Sequence, residues 1–146
     1  GHEEILEQDG EQALLDLVLN STGVFQELLV AYMQHLLNHP QRTALLHQLE
    51  ERLAAGGTGL TSLFSDLYRI RKQRLRRVVP LTNAYLESIN SHLTTRDYLA
   101  AIWAIAQGGS AILNSSFYQR YLGERESLKE VLINQMITLP YPQSSH

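Results

Sequence analysis

Few side chains in this sequence have the type and spacing to do chemistry. His35 and His39 stand four positions apart in a helical pattern, which brings two imidazoles to one face and suits a divalent metal. A closed site needs more ligands, and only His47 and Glu50 lie near in sequence. His39 also falls at a helix C-terminus, where the dipole favours a partly protonated imidazole. No metal is therefore expected. A second cluster is Arg69, Arg71, Lys72, Arg74, Arg76 and Arg77, with no acid among residues 69–77. On a helix, Arg69, Lys72 and Arg76 share one face, and Phe64, Leu67, Leu75 and Val78 share another. Such a helix can bind phosphates, an anionic membrane or an acidic partner. No aromatic side chain interleaves the arginines, as a single-strand binder would want. A simpler assignment is a solvated face answering the acidic first twenty residues, where Glu3, Glu4, Glu7, Asp9, Glu11 and Asp16 occur with no Lys or Arg.

Catalytic signatures are missing. There is no nucleophile elbow, HExxH pair or carboxylate pair, and Gly56-Gly57-Thr58-Gly59 lacks the Lys-Ser or Lys-Thr of a phosphate loop. The absence of cysteine excludes disulfides, thiolate metal sites and thiol catalysis. The expectation is a chain that is not an enzyme and carries no cofactor. With 146 residues, 44% apolar and 18% charged, the composition is that of one globular domain. A net charge of −3 exerts no global pull toward nucleic acid. The longest uncharged stretch, Tyr98 to Gln119, is broken by Gln107, Gly108, Gly109, Ser110 and Asn114, so it makes a poor membrane span. No membrane association and a cytoplasmic location are expected. Gly1-His2 reads as a purification-tag remnant, and the acidic N-terminus is unlike a signal peptide.

The elements that must position these residues are helices. Apolar periodicity predicts an all-α, single-domain bundle of about six helices over residues 3–142, with no sustained strand-like alternation. A first helix is expected over about Gln12–Leu19. A second runs from about Val24 to Leu37 with Phe25, Leu28, Leu29, Tyr32, Leu36 and Leu37 inward, ended by His39-Pro40. A third starts at Pro40 and reaches about Ala55, with Leu45, Leu46, Leu49 and Leu53 inward. A fourth is expected from Leu60 to Val79, where Pro80 imposes a stop or kink before a further piece to Ile89. Thr94-Thr95-Arg96-Asp97 predicts an N-cap opening a helix to Asn114. A Tyr- and Ser-rich corner then leads to a last helix over about Glu124–Thr138.

The last two long helices are apolar on two sides. One face of the first reads Leu99, Ile102, Trp103, Ala106 and Leu113 and suits the core. The other reads Ala101, Ile105, Gly108 and Ile112, small enough for another helix to approach closely. The last helix places Leu128, Val131, Leu132 and Leu139 on one side, with Ile133 and Ile137 on another. Paired across a two-fold axis, these helices would form an intermolecular four-helix bundle, so a homodimer is expected through Ala101, Ile105, Gly108, Ile112, Ile133 and Ile137.

The segment Leu28-Leu29-Val30-Ala31-Tyr32-Met33-Gln34-His35-Leu36-Leu37-Asn38-His39-Pro40 resembles a helix of the C-terminal regulatory domain of the tetracycline-repressor (TetR) family of bacterial transcription regulators. Thr94-Thr95-Arg96-Asp97-Tyr98-Leu99-Ala100-Ala101 is similar to the start of that family's first dimerisation helix. Arg125-Glu126-Ser127-Leu128-Lys129-Glu130-Val131-Leu132 looks like the start of its last. The resemblance spans roughly residues 12–139 and implies a homodimeric, effector-binding domain. These residues hold no counterpart of the family's helix-turn-helix, so DNA contact is implied only through a further N-terminal domain. A small apolar effector would be met by inward aromatic and polar-tipped residues of the middle helices, Phe25, Tyr32, His35, Phe64, Tyr68 and Trp103. The sequence thus reads first as a non-enzymatic ligand-sensing and homodimerisation domain of a transcription regulator. The alternative is a helical adaptor that docks a partner helix.

Overall fold

The computed structural model describes residues 22–56, 61–121 and 123–142. They form six helices: α1 (Thr22–Asn38), α2 (Pro40–Ala55), α3 (Thr61–Ser88), α4 (Thr95–Leu113), α5 (Ser116–Tyr121) and α6 (Arg125–Thr138), with no strand among the described residues. The chain is an all-α bundle, as the periodicity predicts. The expected helix at Gln12–Leu19, the acidic N-terminal run and Gly57-Thr58-Gly59 lie outside the described residues.

Local chemistry sets the boundaries. Pro40 is the first residue of α2, where its missing N–H costs nothing, and His39 before it has left the helical region, at φ −125° and ψ 60°. The Thr43 hydroxyl donates to the carbonyls of Leu36 and His39, at 2.9 and 3.0 Å, and so ties the α1–α2 corner. At the end of α3, Asn90 adopts φ +54°, the left-handed conformation that asparagine tolerates. Ser91 N–H bonds to Leu86 carbonyl at 2.9 Å and Asn90 N–H to Glu87 carbonyl at 3.1 Å, a Schellman closure.

Pro80 does not end the fourth predicted helix; α3 runs through it to Ser88. An interior proline costs about 3 kcal/mol. The residues that follow recover more, because Thr82, Ala84, Tyr85 and Leu86 are all buried. Thr82 also donates its hydroxyl to the Val78 carbonyl at 2.8 Å, one turn back. Burial decides the outcome here.

Helix α4 is central and packs against α1, α2, α3, α5 and α6. Its buried side, Tyr98, Ile102, Ala106 and Leu113, meets Phe25, Met33 and Leu37 of α1, Tyr85 and Leu86 of α3, and Met136 of α6 in one core. Gly109 sits where α1, α4 and α6 meet. A Cβ there would lie 2.7 Å from Leu132 Cδ1 and 3.0 Å from Leu37 Cδ2, so a larger residue requires these two leucine ends to shift.

Three expected core assignments are corrected. Leu45, Leu46 and Leu49 of α2 are exposed, and only Leu53 of that stripe is buried. The sheltered side of α2 instead carries Pro40, Thr43, Ala44, His47 and Glu50. Leu28 and Tyr32 of α1 are also exposed, because α1 presents Phe25, Met33 and Leu37 to the core. Trp103, placed with the core face of α4, is 48% exposed and lies edge-on to His47, ring centroids 5.7 Å apart.

Two tyrosines anchor the core. Tyr98 is fully buried and its hydroxyl donates to Met136 carbonyl at 2.9 Å; burial raises its phenol above the ordinary range. Burial likewise pushes Tyr85 from 10.0 up to about 12, against a lowering hydrogen bond from Gln26. Both phenols are neutral in folded and unfolded chains below pH 10, so their contribution is fully present there. Above it the unfolded chain ionises first, and folding weakens as pH climbs through the raised values. Thermal melts should therefore show Tm falling steadily from about pH 10 to about pH 12, with the fall shallower in Tyr85→Phe. At Gly109, valine should destabilise by about 2 kcal/mol in urea unfolding, since overpacking outweighs the gain in helix propensity.

Candidate interaction surface

Helix α4 is started by its cap. Thr94 is extended, at ψ 157°, and its hydroxyl oxygen accepts from Asp97 N–H at 3.1 Å, as the sequence predicts. With Tyr98, Ile102, Ala106 and Gly109 turned inward, the 3.6-residue period turns Ala100, Ala104, Gly108 and Ala111 outward, and all four are exposed. Gly108 has open space where a Cβ would stand. Beside this smooth strip Ile112 is 47% exposed, and on α6 Val131 is 59% exposed. The rest of the outer side of α6 is polar: Ser127, Glu130, Asn134, Gln135 and Thr138.

The six residues predicted for a dimer contact divide into two sets. Gly108 and Ile112 are open. Ile105, Ile133 and Ile137 are half-buried against the core of their own chain, and Ala101 is half-buried as well. They form the shoulder of the face while its centre is Ala100, Ala104, Gly108 and Ala111. The missed alanines carried a readable signal, a small residue at each turn of one helix side. The close approach expected at Gly108 occurs one residue later, at Gly109, and within a single chain.

The six residues predicted to meet an effector are dispersed. Phe25 is core, its ring 4.8 Å from that of Tyr85. Tyr32 and His35 are exposed on α1, Tyr68 on α3 and Trp103 on α4. Phe64 falls in α3, but its side chain lies outside the described residues. Two open clefts occur elsewhere. One of about 380 Å³ lies at the α1–α2 corner beside His39, Arg42, Asn114 and Arg125, and one of about 330 Å³ lies along α1 beside Gln26, Val30 and Ile137. Neither is lined by any member of the predicted set.

His35 and His39 do face each other, ring centroids 5.1 Å apart. Among the described residues no group of three or more His, Cys, Asp or Glu stands close enough to hold a metal. On the basic part of α3, Arg71 pairs with Glu50 of α2, and Arg69 pairs with Asp66 at 3.4 Å. The Arg69–Asp66 pair is exposed and of small energetic weight, while Glu50 is partly sheltered. Among the described residues no helix is long and apolar enough to cross a membrane.

Compared with known proteins, the chain matches no family model, no curated protein and no solved structure.

The Thr94 cap sets where α4 starts. Thr94→Ala should cost about 1 kcal/mol in chemical unfolding, and Thr94→Ser should restore most of it.

Proposed function

We propose that this chain is a non-enzymatic regulatory domain that works as a homodimer, joined through the outer side of α4 with α6 alongside. The supporting observation is the exposed strip Ala100, Ala104, Gly108 and Ala111 flanked by Ile112. Small side chains let two helix backbones approach closely, and a neighbouring isoleucine supplies apolar area at the seam. Two copies of a 19-residue helix, each about 28 Å long, could align that strip along much of its length. Paired with the neighbouring α6 helices, they would make an intermolecular four-helix bundle.

Service in a transcription regulator rests on the TetR resemblance of the sequence alone. In that reading a ligand favours one arrangement of the paired helices and so changes the spacing of whatever is attached N-terminally. The dispersal of Tyr32, His35, Tyr68 and Trp103 leaves the dimer as the better-supported half of the proposal. A second reading, an adaptor that docks a partner's amphipathic helix, is favoured by exposed Leu45, Leu46 and Leu49 on α2.

Sedimentation equilibrium separates the two. The wild-type chain should sediment as a dimer at micromolar concentration. Ile112→Arg and Ala104→Arg should each weaken association at least tenfold while leaving the helical circular-dichroism signal unchanged. A wild-type chain that stays monomeric would rule out the first reading.

A further inference from the structure

Helix α3 changes character along its length. Its C-terminal part is core, with Thr82, Ala84, Tyr85 and Leu86 buried. Its earlier part projects: Ile70, Leu75 and Val78 are exposed large apolar residues, and Lys72, Arg74 and Arg76 are exposed cations. A basic helix that also leaves apolar side chains in water calls for a covering that is apolar and acidic.

Residues 3–20 of the same chain have that chemistry. They hold six acids, Glu3, Glu4, Glu7, Asp9, Glu11 and Asp16, and no Lys or Arg. Their apolar residues Leu14, Leu15, Val18 and Leu19 fall at a spacing that puts them on one side of a helix. Position agrees with chemistry. The segment ends just before α1, and Phe25 near the start of α1 packs on Tyr85 of α3, ring centroids 4.8 Å apart. From Tyr85 back to Leu75 is about 15 Å along the helix, and residues 3–20 would span about 27 Å even if fully helical. The tether alone supplies a local concentration on the order of millimolar, so modest complementarity suffices.

We propose that residues 3–20 dock in cis on the projecting half of α3, with their apolar residues on Leu75 and Val78 and their carboxylates beside Lys72 and Arg76. This contact involves different helices from the proposed dimer face and stands or falls separately from it. It makes the α3 surface a self-covered one, open to an acidic competitor that displaces the segment.

The chain has no cysteine, so a nitroxide can be attached at one engineered position. Two exposed polar sites on α3 serve, Gln73→Cys and Ser65→Cys, each in the full isotope-labelled chain. Amide resonances of residues 12–20 should broaden strongly from the Gln73 site. They should not broaden when nitroxide-bearing unlabelled chains are mixed with isotope-labelled chains lacking the nitroxide. Lys72→Glu with Arg76→Glu should relieve the broadening at least twofold. Residues 12–20 left sharp by both labels would overturn the proposal. So would broadening seen only in the mixed sample, which would assign the face to a second copy, or broadening indifferent to the charge reversal.

Discussion

The bundle depends on a single crowded point, the approach of Leu132 and Leu37 to the bare backbone of Gly109. Three helices meet there, and a side chain at this position would push the end of Leu132 and nudge that of Leu37. The contact lies on the inward side of α4, and the residues opposite it face outward. Tyr98, Ile102, Ala106 and Leu113 follow Gly109 into the core, and Tyr98 reaches across to the Met136 carbonyl to hold α6 in place. The open strip of alanines and Gly108 is the geometric remainder of the same helix.

That remainder differs in kind from the other exposed apolar surface. On α2 and α3 the exposed residues are large: adjoining Leu45, Leu46 and Leu49 on one helix, and Ile70, Leu75 and Val78 on the other. Bulky, irregular faces of this sort are suited to being covered by flexible or amphipathic chain. The α4 strip is flat, and flatness favours a partner helix of matching regularity, which a second copy supplies at no cost in sequence. The two surfaces therefore point to two kinds of contact.

Much of the architecture was legible in the residues. The His39-Pro40 step, the Thr94 cap and the end of the last helix fall where periodicity and capping chemistry place them. Of the stop or kink expected at Pro80 the stop is absent, because local propensity registers the lost hydrogen bond but not the burial of Tyr85 and Leu86 beyond it. Leu45 and Leu49 misled for the opposite reason: an apolar stripe shows that a helix is amphipathic but not whether a neighbour from the same chain covers it. On α4 the exposed small residues are Ala100, Ala104, Gly108 and Ala111, part of a turn away from the Ala101, Ile105, Gly108 and Ile112 that the pattern predicts. Trp103 borders the buried arc, but its large ring lies edge-on to His47 of α2 and stays 48% exposed. Of the aromatic set, Phe25 lies in the core while Tyr32, Tyr68 and Trp103 are exposed on three helices, a placement that residue type alone does not report.

The most direct measurement is an isotope-filtered nuclear Overhauser experiment on an equimolar mixture of carbon-13-labelled and unlabelled chains. Only contacts between copies survive the filter. A dimer joined through α4 gives intermolecular signals from the methyl groups of Ala100, Ala104, Ala111 and Ile112, to one another and to Val131. Filtered spectra empty at those methyls, or signals arising instead from Leu45, Leu46 and Leu49, would contradict it.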